Sequence, residues 1–541
     1  MDRDRQGERE PLLQPQTDGH VDGGDSEAGG GCVQTTNRKA LPIIILAITI
    51  MFIFNVGNQF ITSPQVRIYE DIICRKYYDS HGERLYPVGE PIPEEKCKIA
   101  PVESELALIR GLEPVFDAIP SLLAAIPMGM LADNPKVGRK PVILAALLGS
   151  MAQLVWTTAV TWFSDTLPLR LVWTGSFFLI TGGSEVTNAI LYTMIIDITT
   201  PSELASTFFM MQLVGGWLPL LFGPPVTSAM MIKKGNWLPV FIGIFLSFTG
   251  FVLLCFAPET MHIRNRHPKD STSEDVNHAA SSSTSSAAVT VETFETSSDA
   301  GPMNQKLRAR AKERIREFIE SSSFVFHSPH LIILICSLMM NTVTAMRAME
   351  MVLYYASARY NISIAKVNLL NTVNAAVSIS ILSALPLASA FLTGKLGFSS
   401  QRKDLLIAKV SVMLYAIGWA GVGFAPTLAC AIAALVIITF GSGFGGSVRS
   451  LAASYVEPHH QARLASFTAI MIALGNFVGA PALAGLYRLG LSMGDSRWYG
   501  LPFLGLASVF VIISSALWLV LRLPEDGEPV IEDDTSSENI N

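Results

Sequence analysis

The sequence predicts an all-α membrane protein with twelve transmembrane helices arranged as two six-helix halves. Half of its 541 residues are hydrophobic, only 16% are charged, and the mean hydropathy is +0.40. A soluble chain of this length would need many more charged residues to cover its surface. Twelve apolar runs are long enough for the ~20 residues that cross a bilayer as a helix. One long polar segment separates the sixth run from the seventh.

The first six runs form the predicted N-terminal half, residues 40–258. They are numbered as spans one to six and cover about 40–62, 106–131, 141–163, 169–195, 204–231 and 237–257. Arg38 and Lys39 precede the first span and place the N-terminus in the cytoplasm by the positive-inside rule. Residues 1–39 are polar, so we predict a disordered cytoplasmic tail and not a secretory signal peptide.

Residues 259–327 form the predicted cytoplasmic linker. Its first part is dominated by Ser, Thr, Ala and acidic residues, which cannot build a hydrophobic core. Within 304–320, apolar residues recur at helical spacing with basic residues opposite them. This pattern predicts an amphipathic helix on the membrane surface or against neighbouring helix ends, and a calmodulin target is the alternative.

Residues 328–522 form the predicted C-terminal half and repeat the first half in outline. Spans seven to twelve lie near 329–355, 364–393, 405–425, 427–448, 461–487 and 499–521. An even number of spans returns residues 523–541 to the cytoplasm as an acidic tail. Two six-helix halves joined by a polar linker are typical of transporters built from parallel repeats.

The loop 63–105 is predicted to lie outside the cell. Cys74 and Cys97 share this loop and could form a disulfide if it faces an oxidising space. Neither has a second Cys or His at ligand spacing, so metal binding is not expected here. The sequon Asn361-Ile-Ser363 falls in another predicted outer turn and makes Asn361 a candidate glycosylation site.

The loop between the second and third spans contains Gly129, Asp133, Gly138, Arg139 and Lys140. It resembles the loop signature of the major facilitator superfamily, G-x-x-x-D-x-x-G-R-[RK], although four residues and not two separate its Asp from the second Gly. The resemblance implies a twelve-helix solute carrier. It also implies that Asp133 pairs with Arg139 and caps a helix N-terminus in the second half, which would lock a cytoplasmic gate.

Two further features extend this resemblance. Asp197, at the cytoplasmic end of the fourth span, is a plausible partner for Arg139 or Lys140. The stretch from Phe116 to Lys140 is similar to the proton-coupled folate transporter group and its fungal-type relatives that carry drugs or metabolites.

Charged residues inside spans are costly, so they are functional candidates. Asp117 lies near the middle of the second span, where desolvation makes ionisation costly and suits a carboxyl to carrying a proton. Arg110 and Glu113 lie nearer the outer boundary and are expected to be hydrated. Glu185 and Asn188 share a face of the fourth span. For Glu185, proton or substrate binding and structural pairing stay open.

Arg347 and Glu350 lie one helical turn apart on the seventh span. They either neutralise each other or place Arg347 toward the cavity, where it would attract an anionic substrate. In the superfamily that this chain resembles, the first and seventh helices line the central cavity and the eighth flanks it. Amides suit a broad organic substrate, and their alternative role is to join helices. The candidate amides are Asn55, Asn58, Gln59, Asn371 and Asn374.

These features predict a secondary transporter that moves a small organic molecule by alternating access. Proton-coupled efflux of a drug or secondary metabolite is the leading hypothesis. The alternatives are a proton-coupled uptake symporter for a small organic anion and a non-transporting membrane receptor. No His–carboxylate, thiol or metal constellation indicates an enzyme or a cofactor, and no basic face indicates nucleic-acid binding. We expect a monomer in the plasma membrane rather than the vacuolar membrane, with both termini cytoplasmic.

Overall fold

A computed structural model describes residues 33–81, 92–132, 134, 137–199, 207, 208, 210–259, 328–394, 399–456 and 461–520. Across these ranges the chain is helical or lies in turns, without strands. Nine helices in this part of the chain are long and apolar enough to cross a membrane. The predicted all-helical membrane fold is therefore confirmed. The amphipathic helix 304–320 and the tail 523–541 lie outside the described residues, so those predictions stay predictions.

The chain divides into two units, Met1–Pro42 and Ile43–Asn541. The structure describes the first unit only as helical backbone from Val33 onward and as the side chains of residues 41 and 42. All contacts discussed below lie within the second unit, which holds both predicted halves. The predicted boundaries of those halves stay predictions.

Helix occupies most of the described residues of all six spans in the first half. The first three spans are the helices Val33–Ser80, Ala100–Ala132 and Arg139–Trp162. The fourth span is a 3₁₀-helix, Leu169–Thr181, followed by the α-helix Gly183–Ile198. The fifth span contains a π-helix, Met211–Trp217, that continues as the α-helix Leu218–Lys234, and the sixth is Trp237–Phe256.

The second half is also helical through its described residues. The seventh span is Pro329–Thr342, the π-helix Val343–Ala348 and Met349–Tyr360, and the eighth is Ile364–Val367 followed by Leu369–Gly394. The ninth span is Ser400–Phe424. The tenth consists of Leu428–Phe440, the 3₁₀ turn Gly441–Gly443 and Phe444–Ser454. The eleventh is Gln461–Ser492, and the twelfth is the 3₁₀ turn Ser496–Gly500 with Leu501–Leu519. π-Helical segments often occur at functional sites.

The region predicted as the outer loop 63–105 is largely helical. The first helix continues to Ser80, a short helix covers Glu94–Cys97, and the second span already begins at Ala100. A disulfide joins Cys74 to Cys97, with 5.4 Å between their Cα atoms. The many charged residues of this region suggest a solvated loop. In the structure several of them form buried ion pairs, so the helices of the first and second spans extend into this region. We call the end of the spans that carries this disulfide the disulfide side, and it is the side predicted to be outside.

Two glycines divide the fourth span. Gly182 and Gly183 have φ values of +120° and +61°, a backbone region that disfavours other residues. They end the 3₁₀-helix and start the α-helix, which is a different role from the close helix approach expected of small residues. A Cβ atom at Gly183 would still lie only 3.4 Å from Ser121 Oγ of the second span.

The two halves meet at the disulfide side. The second span packs against the eleventh, and the fifth span against the eighth. Gly111 allows the first of these contacts, because a Cβ atom there would lie 2.3 Å from the Cβ of Ala484. Arg488 donates a 3.0 Å hydrogen bond from Nε to Ser104 Oγ beside this contact. These contacts place the charged residues of the second span at the boundary between the halves.

Candidate functional site

Asp117 is held by side chains from two neighbouring spans. Gln153 Nε2 of the third span donates a 2.6 Å hydrogen bond to Asp117 Oδ1, and Ser176 Oγ of the fourth span donates a 2.5 Å bond to the same oxygen. Among the described residues, no donor reaches Oδ2. The carboxyl group is therefore oriented by fixed donors on one oxygen, and its second oxygen is the natural place for a proton.

Arg110 and Glu113 precede Asp117 by two turns and one turn of the same helix. Arg110 Nη1 donates a 2.7 Å charged hydrogen bond to Glu113 Oε2, and the two side chains are 13% and 15% exposed. The expectation that this pair is hydrated is therefore wrong, because the eleventh span packs over the outer part of the second span. A buried carboxylate and guanidinium stabilise each other only as a close pair.

The seventh span faces this pair from the second half. Arg347 Nη1 lies 3.3 Å from Glu350 Oε2, so the two side chains neutralise each other. Mutual neutralisation is one of the two alternatives that the sequence predicts for this pair. Electrostatic interactions also link Arg110 to Glu350 and Asp117 to Arg347. We call Arg110, Glu113, Asp117, Arg347 and Glu350 the central charge cluster. It brings together groups from both halves of the chain.

Two buried tyrosines, Tyr69 and Tyr354, complete the surroundings of the cluster, and sequence analysis did not identify them. Tyr69 accepts a 2.8 Å hydrogen bond from Gln65 and interacts electrostatically with Arg110 and Glu113. Tyr354 of the seventh span interacts with Arg110 and with Glu350. A buried tyrosine within an apolar run is indistinguishable from core packing in the sequence. Sequence analysis also missed Gln153, although an amide in the middle of a membrane span is itself an unusual and therefore recognisable feature.

The predicted cavity amides of the first span have different surroundings. Asn55 Nδ2 donates back to the Met51 carbonyl of its own helix at 3.0 Å, and Asn58 is exposed. Gln59 packs against the fifth span, where a Cβ atom at Gly223 would lie 2.7 Å from the Cβ of Gln59. Asn58 is therefore the member of this set whose side chain is open to a ligand.

The amides of the eighth span form a junction with other helices. Asn368 is buried and accepts a 2.6 Å hydrogen bond from Ser63 Oγ of the first span. Its Nδ2 donates at 3.2 Å to the Pro224 carbonyl and to Ser228 Oγ of the fifth span. These bonds join both halves at the disulfide side. We call Asn368, Ser63, Ser228 and the Pro224 carbonyl the amide junction.

The other two amides of this helix are also engaged. Asn371 donates to Asn368 Oδ1 at 3.2 Å, and Asn374 Oδ1 accepts a 2.8 Å bond from Thr439 Oγ1 of the tenth span. Their observed contacts are those of groups that join helices. Substrate contact at these two positions stays a prediction.

The gate loop is tied to the end of the sixth span. Glu259 accepts hydrogen bonds from the backbone N–H groups of Arg139 at 3.1 Å and Lys140 at 3.0 Å, and so caps the N-terminus of the third span. Lys140 Nζ donates a 2.7 Å bond to the Cys255 carbonyl. A carboxylate at a helix N-terminus is favourable because it satisfies unpaired N–H groups. Sequence analysis missed Glu259, which was assigned to the linker.

We expect Gly138→Ala to destabilise the protein. Gly138 has φ +81° and ψ 177°, a region occupied almost only by glycine, and a Cβ atom there would lie 2.7 Å from Glu259 Oε2. Backbone strain of this kind costs about 1–3 kcal/mol. Thermal unfolding of the purified protein in detergent should show a lower midpoint. Gly129→Ala is the matched control, because a Cβ atom there meets no described atom within 4 Å. Equal midpoints for both variants would contradict this explanation.

Several predicted site residues have side chains outside the described part of the chain. Asp133 lies outside it entirely, and so does its predicted pairing with Arg139. The helix Gly183–Ile198 carries Glu185 and Asp197, but only their backbone is described. Asn188 on the same helix is half-buried. The roles of these residues stay predictions.

Asn361 is exposed and ends the helix Met349–Tyr360 in a left-handed conformation with φ 51°. It lies in the turn before the eighth span, on the disulfide side. Within the described ranges, no group of three His, Cys, Asp or Glu residues is arranged to hold a metal ion.

Comparison with known sequences identifies relatives along almost the whole chain. The family model for the Major Facilitator Superfamily matches residues 115–480. The chain is 29% identical to the MFS efflux pump atnC of Emericella nidulans, over 97% of this chain and 94% of that protein. It is 27% identical to the efflux pump ustT of Aspergillus flavus, over 85% of each.

Solved structures with the same fold are more distant in sequence. A D-xylose-proton symporter superposes with a TM-score of 0.57 at 11% identity, over 89% of this chain and 97% of that one. An auto-inhibited peptide transporter of the POT family superposes with a TM-score of 0.54 at 12% identity, over 90% and 99%. At such identities the likeness shows the fold alone, and it confirms the predicted helical architecture.

Proposed function

Because this chain belongs to the major facilitator superfamily, and is therefore an integral multi-pass membrane transporter and not an enzyme, we propose that it exports a small organic molecule in exchange for protons. Secondary metabolites and drugs are the proposed substrates. The relatives named efflux pumps support the direction of transport. The central charge cluster supports the coupling to protons.

The position of Asp117 is the observation that carries this proposal. Its carboxyl group is fixed by Gln153 and Ser176 within the first half, and it interacts with Arg347 of the second half. A change of charge at Asp117 therefore alters its interaction with Arg347 of the second half. In alternating access, the boundary between the two halves is the one that opens and closes. Membrane-embedded carboxyl groups in such positions commonly carry protons.

The balance of charge suggests how protons and substrate compete. The central charge cluster contains three carboxyl groups and two guanidinium groups, so it carries one negative charge when all are ionised. A proton on Asp117 neutralises the cluster. The positive group of a substrate would satisfy the same negative charge, so proton and substrate would exclude each other, as antiport requires. This balance favours a cationic substrate over the anion expected from Arg347 alone.

We also propose a plasma-membrane location for a monomer with both termini cytoplasmic and with Asn361 glycosylated. Arg38 and Lys39 before the first span favour a cytoplasmic N-terminus. The Cys74–Cys97 disulfide favours an oxidising environment on its side of the membrane. The exposed side chain of Asn361 lies on that same side, where glycosylation would take place.

The test uses purified protein in lipid vesicles with an imposed pH gradient and a panel of labelled organic cations and anions. Movement of a cation against the proton flux, with measurable proton counterflow, would support antiport. Movement in the same direction as the protons would establish the symport alternative. Glu185→Gln, measured beside the wild type, would reveal a proton or substrate role for that carboxyl group. If no solute moves, the receptor alternative gains support.

A further inference from the structure

A second group of buried charges lies at the disulfide side, separate from the central charge cluster. Arg67 lies 3.0 Å from Glu70 and 3.6 Å from Glu94. Lys98 contacts Glu70, and its Nζ lies 3.2 Å from Glu94 Oε1 and 3.9 Å from Glu103 Oε1. We call these five residues the disulfide-side cluster. Cys97 lies next to Lys98, so the disulfide fixes this segment against the first helix.

The cluster has more carboxyl groups than cations. Among the described residues, Glu70, Glu94 and Glu103 form ion pairs with Arg67 and Lys98. The nearby Asp71 lies 4.0 Å from Arg67 and forms a closer pair, at 3.0 Å, with Arg75. One negative charge is therefore left over if every carboxyl group is ionised. An uncompensated charge in a buried site is costly, and binding a proton removes it.

Glu103 is the carboxyl group that lacks hydrogen bonds. It is 1% exposed, and neither of its oxygens accepts a hydrogen bond from a described residue. Lys98 contacts both Glu70 and Glu103, so these two carboxyl groups lie close together, and we expect a protonated Glu103 to donate to Glu70. The proton would thus turn two repelling carboxylates into a donor and an acceptor.

Groups of the second half face Glu103 as well. Tyr487 of the eleventh span interacts electrostatically with Glu103, is fully buried, and has a hydroxyl group without a hydrogen-bond partner in the described part of the chain. Within the described residues, each side of the boundary therefore has a buried polar group without a hydrogen-bond partner, Glu103 in the first half and Tyr487 in the second. The other titratable or charged groups that face Glu103 or flank it from packed elements are Tyr354, Tyr499 and Arg488.

The disulfide-side cluster also contacts the second half directly. Glu94 Oε1 accepts a 2.6 Å hydrogen bond from the backbone N–H of Ile364, where the eighth span begins. Ser357 Oγ of the seventh span donates to the same oxygen at 3.4 Å. Glu94 therefore belongs both to the disulfide-side cluster and to a contact between the halves. That contact must break if the halves separate on this side.

We propose that Glu103 is a second proton-binding site, distinct from Asp117, whose proton holds the two halves together at the disulfide side. This inference takes one assumption from the proposed function, namely that the carrier opens and closes at the disulfide side. Separation of the halves would hydrate Glu103 and expose the surplus charge to solvent, and the bound proton would then be released.

The expected pH dependence follows from the environment of Glu103, in the first turn of the helix Ala100–Ala132. Burial disfavours the charged form of the Glu103 carboxyl, which is 1% exposed, Lys98 opposes this effect, and the neighbouring Glu70 adds to it. The closed state therefore binds the proton more tightly than an open, hydrated state does. Low pH favours closure, and closure is lost as the pH rises and Glu103 ionises.

The experiment measures a distance across the disulfide side and needs no substrate. Spin labels are attached at Asp165→Cys and Pro426→Cys, two exposed positions in the turns after the third and ninth spans. The full chain in lipid vesicles keeps its disulfide, and serine replaces the remaining cysteines, Cys32, Cys255, Cys336 and Cys430. We expect a single short distance at pH 5 and a growing population at longer distance as the pH rises to 8.

Glu103→Gln should keep the short distance at every pH, because the amide is permanently neutral. Glu105→Gln is the matched control: Glu105 pairs with the exposed Arg170 at 2.9 Å, and its loss should leave the pH response unchanged. Glu70→Gln removes a neighbouring negative charge and should lower the midpoint of the transition by about one pH unit.

A distance that is independent of pH in the wild type would overturn the proposal. A Glu103→Gln variant that responds to pH like the wild type would also overturn it. If Glu103→Gln fails to fold, the pH midpoint of the distance change in Glu70→Gln tests the proposal instead. An unchanged midpoint in that variant would contradict Glu103 as the proton-binding site. Because the readout is a distance, a failure to find any transported solute would count against the proposed function and leave this result intact.

Discussion

Asp117→Asn is expected to reduce proton-driven transport to the level of protein-free vesicles. Asparagine has nearly the same size as aspartate, and its carbonyl oxygen can still accept hydrogen bonds from Gln153 and Ser176. It cannot bind and release a proton, so the link between the proton gradient and the substrate would be lost. The measurement is gradient-driven flux of the organic cation that the wild type moves fastest.

Thermal unfolding of the purified protein separates this effect from misfolding. The Asp117→Asn carrier should unfold at close to the wild-type temperature, because its amide oxygen keeps both hydrogen bonds. Its binding of the organic cation should weaken, because the neutral amide removes the negative charge that the cation would satisfy. Asp117→Glu should retain part of the driven flux, because it keeps a carboxyl group at nearly the same place. Driven flux at the wild-type rate in Asp117→Asn would show that the proton binds elsewhere.

Asn368→Leu is expected to shift the carrier toward opening at the disulfide side. The substitution keeps the approximate volume but removes the bonds from Asn368 to Ser63, Ser228 and the Pro224 carbonyl. Interhelical hydrogen bonds in membranes contribute about 0.6 kcal/mol each, or about 2 kcal/mol for three. That difference corresponds to roughly a 30-fold change in the equilibrium between closed and open states.

The spin-label distance between positions 165 and 426 measures this equilibrium directly. At pH 5, where we expect the wild type to be closed, Asn368→Leu should populate the longer distance. Asn374→Leu is the matched control on the same helix, because Asn374 bonds Thr439 within the second half. If both variants show the same distances, the amide junction does not hold the halves together.

The two proton sites and the amide junction have separate tasks in this scheme. Asp117 lies in the central charge cluster, where a proton and a substrate would compete. Glu103 and Asn368 lie at the disulfide side, where they join the second span to the eleventh and the first and fifth spans to the eighth. A proton arriving at Glu103 would therefore change which side of the carrier is open without passing through the substrate site.

Local patterns were sufficient for most of the architecture. The apolar runs predicted helix in the right places, because a membrane helix must be apolar along about 20 residues whatever it packs against. Nine of the described helices meet that length and apolarity. The loop from Gly129 to Lys140 indicated the family, since its glycine and basic residues meet a local need for a tight turn and a charged membrane flank. Asp117 was identifiable for the same reason: a carboxyl group within an apolar run is costly and needs an explanation.

The sequence by itself therefore determined the class of protein, its spans, and the carboxyl group at the centre of the proposed mechanism. Only the tertiary structure decided which groups surround these residues. Gln153 and Ser176 reach Asp117 from other spans, and Glu259 reaches the gate loop across more than a hundred residues of chain. The burial of Glu103 was equally invisible, because it depends on a helix from the opposite half. Desolvation and hydrogen bonding are properties of neighbours, and those neighbours are brought together only by folding.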